Sequence, residues 1–131
     1  MQPFSFKNIL IVDDNEIDRF IHHKLLEHYN FSQCILEVEN GFDALEKIRQ
    51  YNKAGDNNID LVLLDVMMPE MDGFEFLNHY ENLTPQLRNT PTIIMVSSTE
   101  NDSDLSKAKN NPLVTKLLKK PLNPKMLEEL F

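Results

Sequence analysis

Several side chains that could do chemistry stand where apolar runs end. Asp13 and Asp14 follow "ILIV" (9–12), and Asp65 follows "DLVLL" (60–64). Ser97 and Ser98 follow "TIIMV" (92–96), and Lys119 and Lys120, then Pro121, follow "VTKLL" (114–118). Each has an ordinary explanation alone: an Asp or Ser beyond a strand commonly caps a helix or forms a turn, and a lysine before a proline can be a solvated loop residue. The joint pattern is not explained that way. If the four runs share one rim of a sheet, three acids, a hydroxyl and an amine converge there. Two carboxylates ~5 Å apart at an effective dielectric of ~20 repel by roughly 3 kcal/mol, and one lysine offsets only part of three such pairs. Either a carboxyl pKa rises or a cation binds. Hard oxygen ligands with few protein donors suit Mg2+, which keeps several waters and often bridges to a phosphate. Asp65 stands alone at the end of what reads as the central strand, so it is best placed to attack phosphorus and form an acyl phosphate. The phosphoryl oxygens then need the cation, the Lys120 ammonium and the Ser97 hydroxyl, a matter of positioning and charge neutralisation. Asp13 and Asp14 are adjacent, so their side chains diverge, with Asp14 facing the metal directly and Asp13 acting through water.

The elements that must hold these groups alternate. Strands are expected at 9–12, 34–38, 60–64, 92–96 and 114–118. Helices are expected at 15–29, 40–51, 73–83, 99–111 and 123–131, with loops at 52–58 and 84–91. In the first helix Ile17, Phe20, Ile21 and Leu25 have the spacing of one inward face. Ala44, Leu45 and Ile48 do the same for the second, and Phe76, Leu77 and Tyr80 for the third. The fourth is weak, with only Leu105 and Ala108 at core spacing. Asn40 is a plausible N-cap, and Asn123 caps a last helix with Pro124 at its first position, where proline is tolerated. Near-continuous apolar strands alternating with helices predict a parallel sheet covered on both faces. In such sheets ligands sit beyond the carboxyl ends of the strands. The second strand runs into Glu39 and Asn40 and carries no chemistry.

Bulk properties narrow the function classes. At 131 residues the chain is the size of one domain, and such a domain buries roughly two thirds of its unfolded surface. A net charge of −8 argues against nucleic acid as the main ligand and favours a cation or a basic partner surface. Cys34 is the sole cysteine, which excludes an internal disulfide and suggests a buried thiol at the start of a strand. No N-terminal segment has signal-peptide character, and no apolar run approaches the about 18 residues of a membrane helix, so a cytoplasmic location is the expectation.

Four segments, "ILIVDDN" (9–15), "LVLLDVMMPEMDG" (61–73), "IIMVSS" (93–98) and "KKPL" (119–122), occur in an order and spacing that resemble the receiver domain of two-component response regulators. The resemblance covers essentially the whole chain, 1–131, and is closest in kind to a stand-alone, chemotaxis-regulator-like receiver. It implies an α/β, flavodoxin-like, doubly wound five-stranded parallel sheet in the order 2-1-3-4-5. It implies that Asp65 accepts a phosphoryl group from a histidine kinase or histidine phosphotransfer protein, and that the phospho-form alters the binding of a downstream protein. Asp13, Asp14 and Asp65 would hold Mg2+ together with the backbone carbonyl of Met67. Lys120 would bind the phosphate, and Ser97, rather than Ser98, would supply the hydroxyl. Such a domain is a phosphoacceptor that assists its own phosphorylation and dephosphorylation rather than an enzyme, with neither nucleic acid nor membrane as partner.

Some positions depart from the family pattern. Leu117 stands at the switch position, three residues before the lysine, where an aromatic is common. "NNPLV" (110–114) replaces the usual glycine after the fourth helix, and the last helix is short, as in a receiver cut from a larger hybrid kinase or regulator. Met67 and Thr99, flanking the phosphoryl position, offer no carboxylate or amide to orient a water, which predicts slow self-dephosphorylation. A haloacid-dehalogenase-like phosphohydrolase is the competing reading, but it requires a second Asp two residues after Asp65, where Met67 stands. His22 and His23 lie ~100° apart on a helix, cannot chelate one metal together, and read as surface residues. Met67, Met68 and Met71 read as loop packing.

Overall fold

The structure is a computed structural model that describes residues 6–53, 57–98 and 101–129, with Gln33 described by its backbone only. Strands β1 (Phe6–Val12), β2 (Ser32–Val38), β3 (Ile59–Asp65), β4 (Thr92–Ser97) and β5 (Lys116–Lys119) alternate with helices α1 (Glu16–His28), α2 (Gly41–Asn52), α3 (Gly73–Leu83), α4 (Asp102–Asn110) and α5 (Pro124–Glu128). Every strand pair is parallel, and the order across the sheet is β2-β1-β3-β4-β5. This is the flavodoxin-like arrangement that the alternation and the family resemblance imply.

Strand alternation divides the core in two. Successive strand side chains point to opposite faces. Leu10, Val12, Val62 and Leu64 therefore meet Ala44, Ile48, Phe76, Leu77, Tyr80 and Ala108 from α2, α3 and α4. Ile9, Ile11, Leu61, Leu63, Ile94 and Val96 point the other way, against Leu26 of α1 and Leu127 of α5. Because both faces are covered, the central strands read as continuous apolar runs. The polar residues that function needs are thereby confined to the strand ends.

Each helix is started by an Asx N-cap whose side chain accepts from an N2 or N3 amide: Asn15, Asn40, Asp72, Asn101 and Asn123. Asp72 forms a full capping box with Glu75. These caps let every helix begin immediately after the loop that leaves the carboxyl rim, which keeps those loops short.

Five expectations are corrected. In α1, Ile17, Phe20 and Ile21 are 69%, 61% and 42% exposed, while His22 and Leu26 are buried. The helix is rotated from the apolar face that spacing suggests, because its inward face is anchored by polar contacts to the rim. His22, read as a surface residue, is 2% exposed for the same reason. The fifth strand begins at Lys116 rather than at residue 114. Asn111 holds the chain in a turn there, accepting from Leu113 N through its side chain (2.9 Å) and from Val114 N through its carbonyl (3.1 Å). Cys34 is half-buried and lies inside β2. Met68 and Met71 pack into the core as expected, but Met67 is 56% exposed.

The loop after β3 folds back on the strand that produced it. Val66 N donates to Val96 O (3.1 Å), and Gly73 N donates to Val66 O (2.8 Å). Gly73 is required by this close approach: a Cβ there would lie 2.7 Å from the Asp65 carbonyl oxygen and 3.2 Å from Val66 Cα. Backbone cannot yield as a flexible side chain can, so the strand end or the helix must shift. Gly73→Ala should destabilise the fold by about 1–3 kcal/mol, the usual cost of overpacking, measured by denaturant unfolding.

Candidate functional site

The four strand ends named from sequence meet at one rim. Asp13 follows β1, Asp65 ends β3, Ser97 ends β4 and Lys120 follows β5. Carboxylate oxygens of Asp13, Asp14 and Asp65 lie within 4.8 Å of one another. Asp13 and Asp65 are 2% and 5% exposed, whereas Asp14 faces solvent. The two adjacent acids thus diverge, one to the floor of the site and one to its lip. Asp13 Oδ1 accepts from Asn15 N (3.0 Å), which ties the floor to the start of α1.

Lys120 sits between the acids. Its Nζ is 2.7 Å from Asp13 Oδ2, 3.0 Å from Asp18 Oδ2 and 3.3 Å from Asp65 Oδ1, and its side chain is 9% exposed. The backbone delivers it there: Lys120 N donates to Ser97 O (2.8 Å), fastening the end of β5 to the end of β4. Ser97 is buried and Ser98 exposed, which favours Ser97 as the hydroxyl of the site. The amide of Met67 donates to the Asp65 carboxylate. Thr99 lies outside the described residues.

Sequence reading missed what α1 contributes. Asp18 is a fourth acid, bound to Lys120. Arg19 Nη1 donates to the Asp13 carbonyl (2.8 Å), and its Nε lies 3.4 Å from Glu37 Oε1. His22 Nε2 accepts from Leu122 N (3.4 Å) on the segment that carries Lys120. The available signal was the polar pair Asp18 and His22 at i and i+4, interrupting a helix whose apolar residues seemed to account for its packing.

Electrostatics follow from this crowding. Burial, and then the Asp13 charge, push the Asp65 carboxyl up to about 7, although Lys120 and the Met67 amide oppose this. Burial alone would lower the Lys120 pKa, but its bonds to Asp13 and Asp18 and the charge of Asp65 together raise it above the ordinary lysine value. His22 is held below its ordinary value by burial, aided by Lys120 and against the pull of Asp13 and Asp18. The donor set is carboxylate oxygen only, so the residues fit a hard divalent cation such as Mg2+ rather than a thiophilic metal.

Residues 9–131 match the family described as the response regulator receiver domain. The chain belongs to that family. Receiver domains are phosphoacceptors of two-component signalling, phosphorylated by histidine kinases, and are not enzymes in the ordinary sense. A solved response regulator receiver protein from Dyadobacter fermentans is 32% identical, with a TM-score of 0.81 over 95% of this chain and 94% of that one. A two-component response regulator of rice, Oryza sativa subsp. japonica, is 32% identical over 93% of this chain, which spans 52% of the rice protein's length. The fold also matches, at 23% identity and a TM-score of 0.79 over 95% of this chain and 92% of that one, the receiver domain of the Arabidopsis thaliana histidine kinase CKI1, solved with Mg2+. Among the described residues, no helix is long and apolar enough to cross a membrane.

The raised Asp65 pKa has a stability consequence for the metal-free receiver. Between its unfolded value of 3.8 and about 7, the folded state holds a proton that the unfolded state does not. Stability therefore falls as pH rises through that window. Asp65→Asn should raise the metal-free melting temperature by a few degrees at pH above 7, and the gain should vanish toward pH below 4 in thermal melts.

Proposed function

We propose that Asp65 is the residue that accepts the phosphoryl group, and that Asp13, Asp14 and Asp65, with the Met67 carbonyl, hold Mg2+ beside it. The observation that carries this reading is the Lys120 ammonium buried between Asp13 and Asp65 at the floor of a three-carboxylate cluster. A purely structural lysine would need one acid, and a structural acid would not stand with two others at an open rim. When bound, the cation would neutralise charge on the carboxylates and on the phosphoryl oxygens.

The chain's own residues supply the rest. An Asp65 oxygen forms the new O–P bond as the donor's N–P bond, or the O–P bond of an acyl phosphate donor, breaks. Lys120 and the Ser97 hydroxyl bind phosphoryl oxygens and keep the transferred group in line. The phosphodonor is a histidine kinase or histidine phosphotransfer protein acting in the cytoplasm. Ile17, Phe20 and Ile21 form an exposed apolar strip on α1, the helix that also carries Asp18 to the site. A donor presenting a histidine to Asp65 would meet this strip first, and an apolar helical surface is its natural complement. A downstream protein would then read the phospho-form. The polar helix α4, with Ala108 as its one fully buried side chain among the described residues, is held weakly by the core.

Two experiments test the reading. Incubated with Mg2+ and acetyl phosphate, the protein should gain one phosphoryl mass on Asp65, seen by intact and peptide mass spectrometry. The gain should outlast seconds and be absent from Asp65→Asn, and catalytic turnover of phosphate esters would instead support a hydrolase. In thermal melts Mg2+ should stabilise the wild type and stabilise Asp14→Ala much less, and equal shifts would remove Asp14 from the metal site.

A further inference from the structure

α1 grips the segment that carries Lys120 at two points one helical turn apart. Residues i and i+4 share a helix face, and here they are Asp18 and His22. Asp18 Oδ2 lies 3.0 Å from Lys120 Nζ, and His22 Nε2 accepts from Leu122 N at 3.4 Å. With Lys120 N bonded to Ser97 O (2.8 Å), the residues from 120 to 122 are held by a side chain at each end and by the sheet. His22 is 2% exposed and held below its ordinary pKa, so it stands as the neutral acceptor that this buried amide requires.

The charge balance gives Asp18 a task that the other acids cannot perform. An ammonium has three donors, and Asp13, Asp18 and Asp65 occupy them. A divalent cation held by Asp13, Asp14 and Asp65 would engage two of those three acceptors, and its charge would repel the ammonium. Among the described residues, Asp18 is the one acidic partner of Lys120 outside the cluster that would hold the cation. Its side chain is only 32% exposed, so its attraction for Lys120 is partly shielded from water.

We propose that Asp18 is a positioning residue for phosphoryl transfer, the counter-charge that keeps the Lys120 ammonium over Asp65 when Mg2+ occupies the other carboxylates. This rests on the reading of Asp65 as phosphoacceptor. Asp18 touches no reacting atom and acts through Lys120.

The test uses the intact chain and the variants Asp18→Ala, Asp18→Glu, Lys120→Ala and the Asp18→Ala, Lys120→Ala double variant. With 15N-labelled lysine and Mg2+, NMR should show one ammonium protected from water exchange in the wild type, absent in Lys120→Ala and lost in Asp18→Ala. With acetyl phosphate and saturating Mg2+, Asp18→Ala should form the acyl phosphate about tenfold more slowly, the weight of one charge-assisted hydrogen bond. Asp18→Glu should recover most of the rate, and Asp18→Ala should slow Lys120→Ala no further. A protected Lys120 ammonium in Asp18→Ala, or an equal slowing in both backgrounds, overturns the proposal. Failure of the wild type to take a phosphoryl group would overturn the reading of Asp65 instead, and the ammonium signal would still decide the role of Asp18.

Discussion

One buried ammonium organises this receiver. Lys120 reaches Asp13, Asp18 and Asp65 at once, and through them it joins the end of β1, the first turn of α1 and the end of β3. Without it the cluster of acids at the rim would be a set of unrelieved repulsions. With it the cluster is still not at rest, because Asp65 is pushed up to about 7 by burial and by Asp13. That residual tension suits the cluster to a hard cation: a second positive charge would complete what one lysine begins.

The fold's contribution is to hold these groups in place while leaving the rim open. Parallel strands end on the same side, so β1, β3, β4 and β5 deliver side chains to one edge without long loops. Gly73 lets α3 start against the carbonyl of Asp65, and the Lys120 amide is fastened to the end of β4. The apolar clusters on the two faces of the sheet contain none of the charged groups of the site. The energetic cost of assembling like charges is therefore met by a core that function does not disturb.

α1 shows where pattern reading and structure part. Its apolar residues at 17, 20, 21 and 25 have helical spacing, yet three of them face solvent. Fully burying such a side chain is worth roughly 1.5–3 kcal/mol, so leaving three exposed needs a reason. The rotation adopted gives Lys120 a third acid, the Asp13 carbonyl its arginine and Leu122 N its acceptor, so that it pairs polar groups at the rim. It also leaves an apolar strip, Ile17, Phe20 and Ile21, exposed on the helix that carries Asp18 to the rim.

The sequence by itself determined the strand count, the parallel alternation, the helix faces of α2 and α3, and the convergence of Asp13, Asp14, Asp65, Ser97 and Lys120. These are legible because period and punctuation are local: an apolar run stops, and a polar residue or an Asx cap follows. Only the tertiary structure decided that Asp18 and His22 belong to the site, that β5 starts late, and that Asp13 lies on the floor while Asp14 stands at the lip. Asp18 and Lys120 are 102 residues apart in the chain. No local pattern pairs them, since their attraction exists only once α1 and the end of β5 lie side by side at the rim.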